Sequence, residues 1–363
     1  MYKERIRKLQ TYLKSENLDG YLINQRSELI HMADVRYLSG FTGDTGLMVV
    51  LNKSAFLIVD GRFHTQAAKE AKNVRIINAR GLPVVELEKH KQFQTKNLRL
   101  GFNPEGFLLS EIKLLKEKLP HAALIESPDA IANLSIIKSK DEIKLIQGAI
   151  DIAETALERL LGYIKPGLRE IEVAAELEYQ MKMLGAEKPA FDTIVASGYR
   201  SALPHGVAST KKIAKGDFVT IDYGAKYNGY VSDITRNFVI GKATPRQKKI
   251  YDVVLRANMA GIKKIKSGVS GLDVDKAARQ VIERAKLGKY YNHGLGHGIG
   301  IYVHVQPNLG PRSTSVLQSN MVTTVEPGIY IPKYGGVRIE DDVLVTNKGC
   351  KVLTSSPKKL LEL

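Results

Sequence analysis

Two aspartates sit where charge is unexpected. Asp222 lies in the β-rich run Phe218-Val219-Thr220-Ile221-Asp222-Tyr223-Gly224. Asp233 follows eleven residues later in Tyr230-Val231-Ser232-Asp233-Ile234-Thr235-Arg236. With 225–229 as a turn, the two runs read as one hairpin that sets the carboxylates side by side on adjacent strands. Like charges so placed repel, so a cation lies between them or one of them is protonated. The alternative is that one aspartate faces solvent and the other pairs with Arg236. Glu326 follows a strand-like run and precedes Pro327, which keeps its backbone extended. Glu340 alternates with Val337 and Ile339 and shares a face with Arg338. Taken alone, Arg338 and Glu340 read as a surface ion pair.

Three of the eight histidines, His293, His297 and His304, fall in one glycine-alternating stretch, with Gly294, Gly296, Gly298 and Gly300 between them. A phosphate loop of the G-x-G-x-x-G type would need glycine where Ile299 stands, so these glycines serve close backbone approach instead. Histidines gathered in such a stretch point to ligand or catalytic work. Asp222, Asp233, Glu326 and Glu340 together bring four negative charges, which two divalent cations would balance. Four carboxylates and one imidazole make an oxygen-rich cage that suits Mn2+ first, with Co2+, Fe2+ or Zn2+ also accommodated.

The elements that must position these residues divide the chain in two. Up to about residue 130, short apolar runs at 21–23, 47–51, 56–59, 74–77, 98–100 and 122–125 alternate with amphipathic stretches at 3–16, 62–71, 84–91 and 108–119. That pattern predicts an α/β domain. A second domain, 139–363, begins with Ser139 and Glu142 in capping-box spacing ahead of Ile143, Ile146, Ile150, Ala153 and Leu157 at helical spacing. Residues 164–173 resemble residues 265–274 at a constant offset of 101, which predicts two similar halves.

Composition narrows the function classes. Of the 363 residues, 44% are hydrophobic and 25% charged, the balance of a globular protein. No apolar run reaches the length of a membrane-spanning helix, and the charged N-terminus does not read as a secretory signal. Cys350 is the single cysteine, so no internal disulfide forms and a cytoplasmic setting is expected. Its turn-like surroundings make it an idle thiol. The 54 basic and 38 acidic residues give a net charge of +16. The lysines are dispersed and no aromatic or zinc-finger signature accompanies them, so nucleic acid is a disfavoured partner.

The fragments Ile221-Asp222-Tyr223-Gly224, Ser232-Asp233-Ile234-Thr235-Arg236, Gly296-His297-Gly298-Ile299-Gly300, Glu326-Pro327-Gly328 and Arg338-Ile339-Glu340-Asp341 occur in this order. The series resembles the signature of the pita-bread metallopeptidases, which include methionine aminopeptidase, Xaa-Pro aminopeptidase and Xaa-Pro dipeptidase (prolidase). Val35-Arg36-Tyr37-Leu38-Ser39-Gly40-Phe41-Thr42-Gly43 and Asp60-Gly61-Arg62-Phe63 are similar to the N-terminal domain of the proline-specific branch. The fourteen-residue separation of Glu326 and Glu340 also favours that branch.

The resemblance implies a creatinase/prolidase-like α/β N-terminal domain, 1–130, serving dimerisation and substrate restriction. An α+β pita-bread domain with internal two-fold pseudosymmetry would follow. It implies Asp222, Asp233, His297, Glu326 and Glu340 as ligands of two divalent ions, and Glu326, His205 and His304 as catalytic residues. His293 and Arg338 would stand close behind. The expected activity is hydrolysis of the bond between an N-terminal residue and proline by a metal-bridging hydroxide. The substrates would be proline-containing peptides or dipeptides, and the enzyme a homodimer. One departure is Val305, where the family commonly has an acidic residue after the histidine. It leaves the cage complete and bears on substrate preference. The competing readings are a catalytically silent pita-bread binding module and methionine-aminopeptidase-like specificity.

Overall fold

The structure, a computed structural model, describes residues 1–26, 33–128 and 130–363, and every count of elements refers to these residues. The chain divides into two compact units, Met1–Leu134 and Ser135–Leu363.

The first unit contains α1 (Tyr2–Ser15), β1 (Gly20–Gln25), α2 (Ala33–Ser39), β2 (Gly46–Leu51), β3 (Ala55–Asp60), α3 (His64–Glu70), β4 (Arg75–Ala79), α4 (Pro83–Glu86), β5 (Leu98–Phe102), α5 (Leu109–Lys118) and β6 (Ala122–Glu126), with α6 (Ala130–Ser135) at its end. All six apolar runs seen in the sequence become strands of one mixed sheet, ordered β4-β3-β2-β1-β5-β6. Leu22, Leu47, Val49, Phe56, Ile58 and Leu100 build its core. Ile6, Leu9 and Leu13 are buried along one stripe of α1, as their spacing predicts. The stretch 84–91, expected as one helix, becomes the short α4 followed by 3-10 turns. Helix α2, not anticipated, ends where Gly40 adopts φ +85° and its N–H donates to Arg36 O at 2.8 Å, the left-handed stop that glycine supplies.

The second unit contains α7 (Lys140–Leu161), α8 (Glu170–Met183), β7 (Lys188–Pro189), β8 (Ile194–Ser197), β9 (Phe218–Tyr223), β10 (Ala225–Tyr227), β11 (Tyr230–Val231), β12 (Ile234–Val239), α9 (Pro245–Lys264), α10 (Gly271–Arg284), β13 (Gly296–Gly298), β14 (Val305–Leu309), β15 (Val322–Val325), β16 (Gly328–Ile331), β17 (Gly335–Arg338), β18 (Asp341–Val345), β19 (Cys350–Val352) and β20 (Leu361–Glu362). The main sheets are ordered β20-β12-β9-β8 and β14-β13-β15-β18-β19. The capping box forms as expected: Ser139 N–H donates to Glu142 Oε2 at 2.9 Å, and Glu142 N–H donates to Ser139 Oγ at 3.3 Å.

The sequence repeat is a structural repeat. Helices α7 and α8 pack as one pair and α9 and α10 as the other. Between the helices of each pair a glycine takes a positive φ, +94° at Gly167 and +86° at Gly268. Gly167 N–H donates to Ile213 O and Gly268 N–H to Leu317 O, both at 2.8 Å. The two halves are thus closed by the same device, as pseudosymmetry requires.

The single hairpin expected around Asp222 and Asp233 is not what forms. Asn228 at φ +47° and Gly229 at φ +85° make a tight two-residue turn that sets Tyr227 opposite Tyr230. This closes a small ribbon, β10–β11, in a separate three-stranded sheet with β7. The chain changes sheet where Gly224 crosses Ser232 so closely that a Cβ would lie 2.0 Å from the Ser232 carbonyl oxygen. The β9–β12 pairing then sets Asp222 opposite Thr235, not opposite Asp233. Among the described residues, no helix is long and apolar enough to cross a membrane.

A Cβ on Gly296 would lie 2.2 Å from the carbonyl oxygen of Thr324, a backbone atom that cannot rotate away. Gly296→Ala should therefore destabilise the second unit by about 1–3 kcal/mol, read as a lower thermal unfolding midpoint. An unchanged midpoint would contradict this close approach of β13 to β15.

Candidate metal centre

The residues singled out in the sequence lie in or directly beside strands. Asp222 lies on β9, Asp233 immediately before β12 and His297 within β13. Glu326 follows β15 directly, and Glu340 lies between β17 and β18. Asp222, Asp233 and Glu340 are buried, with 9%, 5% and 2% of their surface exposed. One ligand atom each from Asp233, His297 and Glu340 lies within 4.8 Å of the others. Glu326 joins them through Oε1, 3.5 Å from His297 Nε2, and Asp233 Oδ2 lies 3.6 Å from the same nitrogen. His297 Nδ1 lies 3.2 Å from Gly298 O. Because a carbonyl only accepts, Nδ1 carries the proton, and the Nε2 lone pair faces the acids.

Arg338 ties this cluster together. Its Nη2 donates to Asp222 Oδ2 at 2.5 Å, and its Nε to Thr235 Oγ1 at 3.0 Å. The Thr235 hydroxyl in turn donates to Glu340 Oε2 at 2.6 Å. Arg338 Nη1 donates to Tyr330 Oη at 2.9 Å and to Pro204 O at 3.1 Å. His293 Nδ1 lies 2.7 Å from Gly294 O, so its Nε2 accepts from the Tyr330 hydroxyl at 2.9 Å. The surface pairing of Arg338 with Glu340 is therefore overturned: both are buried, and Arg338 binds Asp222. The alternative partner for the aspartates, Arg236, is engaged elsewhere, with Asp341 at 3.0 Å.

The electrostatics of the cluster are those of acids held together in a low-dielectric interior. Burial, then the charge of Asp222, pushes Glu340 up to about 8. Burial, then Glu340, raises Asp233 and Glu326 well above the usual carboxylate range. Burial, then the charge of His304, brings His297 down to about 4. Burial, then Arg338, brings His293 down to about 4 as well. For Arg338, burial opposes the charge, but Tyr330, Asp222, Glu326 and Glu340 outweigh it and keep the guanidinium charged.

The donor set fits divalent cations. Asp222 Oδ1 is buried with no hydrogen-bond partner among the described residues. Four carboxylates converge here, and Arg338 is bonded to only one of them. A cation among them would supply the missing partner and relieve the mutual repulsion.

Two histidines complete the surroundings. The His304 ring lies 4.2 Å from that of His297, and burial, then the charge of His205, lowers its pKa. His205 follows Pro204, whose carbonyl Arg338 holds.

Four further residues stand around the cluster, and the sequence marks them weakly. Thr235 and Tyr330 carry no local signal beyond their strand positions. Asp341 and Asp342 follow Glu340 directly, and that acidic run could have flagged them. Asp342 Oδ2 accepts from the Asp233 N–H at 3.1 Å and so orients that residue. Asp341 is 0% exposed and takes hydrogen bonds from Arg236, Asn258, Thr354 and Lys358. Cys350, half-buried, donates to Ile262 O at 3.3 Å, and burial raises its thiol pKa, as suits an idle thiol.

Two measurements follow from this geometry. Mn2+ at a hundred times its dissociation constant should raise the stability of metal-free protein by about 2.7 kcal/mol, and His297→Ala should shrink that gain. An equal gain in the variant would contradict the assignment of His297. Asp341→Ala leaves the buried Arg236 without its carboxylate partner and should destabilise by about 3–5 kcal/mol, measured by chemical denaturation. A loss below 1 kcal/mol would contradict the buried network.

Residues 144–347 match the model of metallopeptidase family M24, and residues 5–137 match that of the creatinase/prolidase N-terminal domain. A Xaa-Pro dipeptidase of Pyrococcus furiosus is 42% identical over 363 residues, spanning 99% of this chain and 100% of that one. The solved structure of a Xaa-Pro dipeptidase from Bacillus anthracis superposes with TM-score 0.94 at 42% identity, covering 100% of both chains. That of an X-Pro aminopeptidase from Thermotoga maritima superposes with TM-score 0.89 at 36% identity, covering 96% of this chain and 100% of that one. With its creatinase/prolidase N-terminal domain followed by a pita-bread catalytic domain, the chain belongs to metallopeptidase family M24.

Proposed function

We propose that the protein hydrolyses the bond between an N-terminal residue and proline, acting on Xaa-Pro dipeptides. Asp222, Asp233, His297, Glu326 and Glu340 would hold two divalent ions, Mn2+ foremost. The observation that carries this reading is the convergence of buried acids on the His297 Nε2 lone pair. The names of the relatives add the substrate class. When bound, the cations supply the Lewis acidity that polarises a carbonyl and makes water nucleophilic near neutral pH.

The protein's own groups do the rest. Glu326, half-buried beside His297, takes the proton of the attacking water and delivers it to the proline nitrogen as the C–N bond breaks. His304 and His205 donate hydrogen bonds to the oxygen on which negative charge develops. The acids of the cluster attract the free amino group of the substrate. Arg338 fixes Asp222 and the Pro204 carbonyl in one grip, which keeps the acidic and histidine sides of the site in register. Proline lacks an N–H and restricts its own backbone, so a site that acts on it must be shaped for that geometry. Homodimerisation through the N-terminal unit belongs to the same reading and rests on the resemblance, while a cytoplasmic location rests on the single cysteine, Cys350.

A second reading, removal of the first residue from longer Xaa-Pro-Yaa chains, is supported by the likeness to the Thermotoga X-Pro aminopeptidase. Hydrolysis of Xaa-Pro, Xaa-Pro-Yaa and Xaa-Ala after Mn2+ loading separates these. The proposal expects turnover of the first and little of the third. Preference for Xaa-Ala would contradict it. His304→Ala should lower kcat by about a hundredfold with bound Mn2+ retained. Lost metal with unchanged turnover per ion would contradict the role given to His304.

A further inference from the structure

His205 stands on a loop, 197–211, that one acid outside the cluster grips at two points. Glu170 opens α8 with a side chain that is 0% exposed. Its Oε1 accepts from the Ser197 N–H at 2.7 Å and from the Ser197 hydroxyl at 2.8 Å. Its Oε2 accepts from the Ser209 N–H at 3.2 Å, the Ser209 hydroxyl at 2.6 Å and the Arg200 guanidinium. Ser197 opens the loop and Ser209 lies two residues before its end, so a single carboxylate clasps it shut. The backbone repeats the clasp: Glu170 N–H donates to Lys211 O at 3.0 Å, and Ile171 N–H donates to Ser209 O at 2.9 Å.

Inside the clasp, two arginines fix the residues beside His205. Arg200 reaches from Glu170 to Val207 O at 2.9 Å, and Arg338 holds Pro204 O at 3.1 Å. The position equivalent to Glu170 in the second half, 101 residues on, is Gly271. A Cβ there would meet Asn308 O at 2.2 Å and Ser313 Oγ at 2.5 Å. The second loop is closed by backbone and by the Ser313 hydroxyl on Asn308 O. A buried acid at this position is therefore not a requirement of the pseudosymmetric fold. It belongs to the half that carries His205.

We propose that Glu170 is a positioning residue for the hydrolytic reaction, acting through the 197–211 loop to fix the backbone that carries His205. This rests on the proposed function for its catalytic meaning. Five donors, one of them cationic, need a carboxylate. Glutamine offers one accepting oxygen and turns an NH2 toward donors, so it strands at least one of them.

The test uses the Mn2+-loaded full chain with Glu170→Gln, His205→Ala and the double variant. Glu170→Gln should lower kcat/KM for Xaa-Pro by about tenfold with bound Mn2+ unchanged. In the double variant it should add nothing to the effect of His205→Ala, because both act through one imidazole. Amide hydrogen exchange should accelerate in 198–209 and stay unchanged in α9 and β15. Penalties that multiply in the double variant would overturn the proposal, as would unchanged exchange in the loop. If Glu170→Gln fails to fold, Ser209→Ala removes one donor and strands no charge. It should show a smaller loss of the same kind, likewise absorbed by His205→Ala. A wild type inactive on Xaa-Pro peptides would remove the functional reading, while the exchange pattern would still decide the clasp.

Discussion

Acids buried close together in a low-dielectric interior repel one another, and each loses its hydration. Asp222, Asp233, Glu326 and Glu340 are in that situation, with Glu340 pushed up to about 8 and Asp233 and Glu326 raised well above the usual carboxylate range. A fold does not retain such an arrangement for stability alone, since hydrophobic replacements are often neutral or better. The surrounding protein is organised to tolerate it. Arg338 supports Asp222, Thr235 supports Glu340, and the Asp342 carboxylate takes the Asp233 N–H. Behind them, Arg236 and Lys358 neutralise Asp341, whose carboxyl they hold below the usual range against the effect of burial.

Backbone crowding is what brings these side chains to one place. The four acids sit at or beside strand ends, where the chain changes sheet or turns. Gly224 against Ser232, Gly296 against Thr324 and Gly298 against Gln306 are approaches that no side chain would permit. The glycine alternation around His297 is therefore the price of packing β13 between β14 and β15 with an imidazole facing the acids.

The acids and the histidine were legible because charge in an apolar run is rare enough to mark a site. The six strands of the first unit were legible for the opposite reason: apolar runs of strand length between turn residues have few other uses. Pairing partners were not legible. The turn at Asn228-Gly229 diverts the chain into a second sheet, and nothing local says that β9 resumes with β12 at Thr235 instead of Asp233. Contacts with large sequence separation were equally hidden. Arg338 to Asp222 spans 116 positions, and Arg236 to Asp341 spans 105. Sequence spacing suggested neighbours within a strand, but burial selected partners across sheets.

The central claim is that cations hold the acids together. Crystals of the protein loaded with Mn2+ and measured at the manganese absorption edge test it directly. The account predicts two anomalous peaks roughly 3.5–4 Å apart, enclosed by Asp222, Asp233, His297, Glu326 and Glu340. Anomalous density confined to the protein surface, with these five side chains ligating nothing, would contradict it.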